Sequence, residues 1–133
     1  MDNLMELVKQ LDEQIESHNS DKLKLREELD ALDNFKNDLE EAKDSFHDMI
    51  QKQRKIVNLL FDFKNCRTSS VYAADTETKI DKRGKKENNI LEHLMSAVEE
   101  RRENCFLKIQ ECDSKINKKE YKRLEAVKEM MAE

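Results

Sequence analysis

Reactivity in a protein usually shows first in its imidazoles, thiols and paired carboxylates, and here these are few and poorly grouped. The histidines are His18, His47 and His93; the cysteines are Cys66, Cys105 and Cys112. Asp44 and His47, three residues apart, share one face of a helix, an arrangement found in di-metal sites of helical bundles. Such sites need matching ligands from facing helices, and the motif has no second copy. Cys105 and Cys112 are seven apart, outside the usual zinc spacings, and read as small core hydrophobes. Cys66 lies near Lys64 and Arg67, too little company to activate a thiol. There is no glycine-rich phosphate loop and no nucleophile elbow. These observations predict no catalytic residue, no metal site and no cofactor. The expectation is that the chain is not an enzyme.

The elements that would carry any site are long helices. The 133 residues contain no Pro and one Gly, and 41% are charged against 37% hydrophobic. Without helix breakers, order depends on whether the apolar residues are periodic. They are. A seam of threes and fours runs Leu4, Leu7, Leu11, Ile15, His18, Lys22, Leu25, Leu29, Leu32, Phe35, Leu39, Ala42, Phe46, Met49, Gln53, Ile56, Leu60, Phe63. The first helix is therefore predicted over 3–66, about 95 Å at the helical rise. The poor helix formers of 17–22 predict a kink or fraying within it.

Arg67 to Ala74, rich in hydroxyls, reads as the turn, centred near residue 70. The charged stretch 75–89 reads as either the polar start of the second helix or a mobile linker. A second seam runs Leu91, Leu94, Val98, Arg101, Cys105, Ile109, Cys112, Ile116, Lys119, Leu124, Val127, Met131, which predicts a helix over at least 87–131. Two such helices joined by a turn fold back as an all-α, elongated antiparallel hairpin, one domain over 1–133. A turn near residue 70 would set Leu32 beside Ile109 and Leu11 beside Met130.

A two-helix hairpin has a thin core, and one segment exceeds what a single seam covers. Ile56 to Phe63 is apolar on several sides, whereas the segment expected opposite, 78–89, offers only Ile80. Val57, Leu59, Leu60, Phe61 and Phe63 are the predicted partner-binding patch. The competing expectation is that 71–74 folds back over it.

Charge narrows the partner. A net charge of −5 disfavours nucleic acid, and the basic runs 82–86 and 118–119 are flanked by acids, as on a solvated helix face. No stretch is apolar enough for membrane insertion, and the acidic first residues are unlike a signal peptide. An odd number of cysteines suits a reducing cytoplasm, with export alongside a partner left open.

Tyr121-x-x-x-Glu125 in the second helix looks like the Y-x-x-x-D/E export signal of type VII substrates. With two long amphipathic helices around a mid-chain turn, the chain resembles the small helical hairpins encoded beside LXG toxins of the Gram-positive type VII (ESX-like) secretion system. These are relatives of the WXG-type secreted hairpins. With no Trp, the W-x-G turn is missing and the expected turn is longer. The resemblance implies a targeting factor or chaperone that pairs with the helical domain of a secreted toxin, together with a second small helical protein. The alternative expectation is a structural coiled-coil scaffold or tether that self-associates or joins a larger complex.

Overall fold

The computed structural model describes residues 2–62 and 67–132, and among these only Asp62 lies outside a helix. Helix α1 spans Asp2–Phe61 and α2 spans Arg67–Ala132. They pack against each other as an all-α, antiparallel two-helix hairpin. Phe63 and Cys66 lie outside the described residues.

At the connection α1 ends at Phe61, short of the expected 66, while α2 begins earlier than expected, at Arg67. Arg67 to Ala74 and the charged stretch to Asn89 are helical, so neither a turn near residue 70 nor a linker forms. Packing overrides weak local propensity there. Ala73 is fully buried and Ile80 nearly so, both against Val57 and Ile50 of α1. The weak stretch 17–22 is helical too, with His18 and Lys22 half-buried and Lys22 paired with Asp113.

Cross-helix pairs fix the register. Asp12 pairs with Arg123, Lys22 with Asp113, Asp33 with Arg102, Lys36 with Glu99 and Arg54 with Asp81. The residue numbers in each pair add to the same total. Leu32 is therefore level with Glu103 and Leu11 with Leu124, not with Ile109 and Met130. The displacement follows from α2 beginning at Arg67.

The chain forms two compact units, Met1–Asp33 with Glu100–Glu133, and Asn34–Glu99; they are called the terminal and the middle unit below. In the terminal unit the seam of α1 is Leu4, Val8, Leu11, Ile15, His18, Lys22, Leu25, Leu29 and Leu32, strictly alternating steps of four and three. Opposite it lie Arg102, Cys105, Ile109, Cys112, Ile116, Lys119, Arg123, Ala126 and Met130. In the middle unit, Phe46, Ile50, Val57 and Leu60 pack with Ala73 and Ile80.

Several expected seam residues are therefore displaced by one position. Leu7, Phe35, Ala42, Ile56, Leu94, Arg101, Leu124 and Met131 are exposed. Their neighbours Val8, Lys36, Val57, Met95, Arg102, Arg123 and Met130 are the inward ones.

Candidate protein-interaction surface

The middle unit divides the predicted patch. Val57 is only 3% exposed and belongs to the core, while Leu60 is half-buried against it. Leu59 is 63% exposed and Phe61 41%. The fold-back expectation is met only at Ala73, which covers Val57; Val71 and Tyr72 of the same stretch are exposed. Leu59 and Phe61 do not share a face, because two residues along a helix turn the side chain by roughly 200°.

Helical geometry assigns them to opposite flanks of the hairpin. One flank carries the Arg54–Asp81 pair at 3.1 Å. Phe61, seven residues beyond Arg54, stands on that side. In the terminal unit, Arg101 pairs with Glu28 at 2.7 Å and Lys119 donates to Gln14 at 2.7 Å. In the middle unit Phe35, Ala42, Met49 and Ile56 recur every seven residues along α1, each just before a seam position and so away from the side of Arg54. Of these, Ile56 is 60% exposed and Met49 half-buried. Leu59 follows Ile56 at the i+3 position and extends the same column.

On α2 of the middle unit, Leu94, Ile90, Arg83, Lys79 and Tyr72 recur at alternating steps of four and seven, which keeps them on one side of the helix. Ile90, Leu94 and Tyr72 are exposed large hydrophobics. This flank of the middle unit is therefore apolar, with Phe35, Ile90 and Leu94 at one end and Ile56, Leu59 and Tyr72 at the other. The seven-residue spacing is visible in the sequence, where hydrophobicity alone assigns the column to the intramolecular seam.

The opposite flank of the middle unit is polar and indented. A hollow of about 540 Å³ is lined by Asp44, His47, Arg54, Asp81 and Lys85, with Phe46 and Ile50 beneath. Gly84 creates part of it: an added Cβ would stand 3.9 Å from Ile50 Cδ1, an ordinary contact. Asp44 and His47 face this open hollow, and no group of three metal-ligating side chains occurs among the described residues. Gln53, on the seam, has a buried Oε1 that accepts no hydrogen bond among the described residues.

The shifted ionisations belong to structural contacts. The hydrogen bond from Arg101 holds the Glu28 carboxyl below its ordinary range, and Glu28 in turn raises Arg101. Burial pushes the Cys105 thiol up, reinforced by the charge of Glu28, which also accepts its hydrogen bond. Asp75, 3.0 Å away, raises Lys79. Cys112 is half-buried.

Tyr121 and Glu125 lie in the terminal unit, one helical turn apart and both exposed, Tyr121 at 64%. Glu125 borders a shallow hollow with Leu7 and Ala126. No helix among the described residues is long and apolar enough to cross a membrane. No family model, curated protein or solved structure matches the chain.

Proposed function

We propose that this chain is a non-enzymatic protein-binding adaptor. The observation that carries the reading is the exposed apolar column Phe35, Ala42, Met49, Ile56 and Leu59, continued by Ile90, Leu94 and Tyr72 on α2. Large apolar side chains left in water along one flank are costly and mark a docking site. In its finer form, the adaptor is a targeting factor or chaperone for a secreted type VII effector toxin. Two features support that form: the hairpin architecture and the exposed Tyr121 and Glu125.

Two double variants test the two levels. Leu59→Glu with Phe61→Glu should abolish co-purification of the partner and leave helicity by circular dichroism nearly unchanged, because neither side chain is in the core. Unfolding of this variant would return those residues to the core and remove the binding assignment. Tyr121→Ala with Glu125→Ala should block appearance of the partner toxin in the culture supernatant while the complex still assembles in lysate. Normal secretion by the second variant would sink the export signal.

A further inference from the structure

The apolar column occupies a flank whose chemistry specifies what fits it. Along α1 its members recur every seven residues, the repeat that one helix presents to another in a supercoiled pair. From Phe35 to Leu59 the column is about 36 Å long at the helical rise. That length suits a continuous helix; a loop or short peptide would leave most of it uncovered.

The border of the column is basic. Arg83 and Lys86 stand beside it on α2, and Lys52 stands beside it on α1; none of the three makes an ion pair among the described residues. Lys79 is on the same side but is held by Asp75. The acidic residues nearby are Asp38 at one end, Asp48 one turn before Lys52, and half-buried Glu87 on the seam one turn after Arg83, and none of these is ion-paired with the three cations. The contrast with the terminal unit is informative, because there Glu28 stands at the equivalent α1 position and neutralises Arg101. In the middle unit the equivalent α1 positions are apolar, so the α2 cations have no acid facing them from α1 on this flank.

We infer that the middle unit is completed by an acidic amphipathic helix of another protein, lying along Phe35–Leu59 with its carboxylates against Arg83 and Lys86. Three helices then surround a common core, and the incoming carboxylates do in trans what Glu28 does in cis. A second copy of this chain is the poorer occupant. It would bring its own basic border against this one, and like charges across an interface oppose association. This inference rests on the adaptor reading and adds the chemistry of the partner.

The test uses the full chain and synthetic helices of about four heptads with Ile and Leu at the a and d positions. One peptide carries Glu at the flanking e and g positions and the other carries Lys. Fluorescence anisotropy should show the Glu peptide binding at least about tenfold more tightly than the Lys peptide, a gap that narrows with added salt. Arg83→Glu with Lys86→Glu should reverse that preference, and Ile56→Glu should remove binding of both. Because these residues are exposed, circular dichroism should confirm that every variant remains helical. Equal binding of the two peptides would overturn the acidic-partner inference and leave the adaptor reading standing. A chain that sediments as a dimer, and becomes monomeric with Phe35→Glu, would identify a second copy as the occupant and overturn the inference outright.

Discussion

The helices run antiparallel in the terminal unit and in the middle unit, but the two units close their seams differently. In the terminal unit both flanks are laced by polar pairs: Asp12–Arg123 and Asp33–Arg102 on one side, Glu28–Arg101 and Gln14–Lys119 on the other. In the middle unit the cross-helix pairs Lys36–Glu99 and Arg54–Asp81 both belong to one flank, and the other is apolar. The cores differ as well. In the middle unit the large α1 residues Phe46, Ile50, Val57 and Leu60 pack with only Ala73 and Ile80 of α2, and Gly84 leaves space beside Ile50. In the terminal unit the α1 seam carries Leu11, Leu25 and Leu32, and the α2 seam carries Ile109, Ile116 and Met130. A hairpin flank edged by salt bridges leaves little apolar surface in water, whereas one edged by Ile and Phe with cations beside it is the surface on which we propose a partner docks.

The largest expected effect breaks the middle unit through adjacent residues. Val57→Asp places a charge in the cluster of Ile50, Ala73 and Ile80, and should cost about 3 kcal/mol or more in denaturant unfolding. Ile56→Asp, one position away and exposed, should cost less than about 0.5 kcal/mol. Equal costs would mean that the seam does not alternate as described.

Gly84→Ala should sharpen the contrast from the other direction. Gly84 is in a helix interior and a methyl group fits against Ile50, so thermal unfolding should show a gain of about 0.5–1 kcal/mol. A loss would mean that the hollow beside it is needed open by the fold.

The smallest effect concerns the charged flank of the terminal unit. Glu28 has a folded-state pKa below its unfolded value, chiefly through the Arg101 hydrogen bond. Its stabilisation is therefore present above the ordinary carboxylate range and is lost as pH falls through the depressed folded value. The difference in denaturation midpoint between the natural chain and Glu28→Gln should be small at neutral pH and close on acidification. A difference that widened in acid would contradict the assignment.

The helices, their antiparallel pairing and the existence of surplus apolar surface near the end of α1 were legible in the sequence. The seam's phase was less so, because apolar residues compete for it at adjacent positions. Choosing Phe35 over Lys36 follows hydrophobicity, yet Lys36 is half-buried and reaches Glu99 at 2.7 Å. A long aliphatic stem allows a lysine to occupy a seam while its ammonium stays at the rim. At Ile56 and Val57 hydrophobicity offers no choice. Only strict alternation of four and three, carried through Phe46, Ile50, Gln53 and Leu60, selects Val57. The early start of α2 was hidden for another reason: Thr68, Ser69 and Ser70 are poor helix formers, and the burial of Ala73 that offsets them is a tertiary fact.

The central claim is that a partner protein docks on the flank carrying Ile56 rather than on the flank carrying Phe61. It is tested most directly by affinity purification from the native source with two single variants, Ile56→Glu and Phe61→Glu, both checked for unchanged helicity. The account predicts that the natural chain and Phe61→Glu retain the same bound protein and that Ile56→Glu loses it. Retention by Ile56→Glu with loss by Phe61→Glu would contradict it.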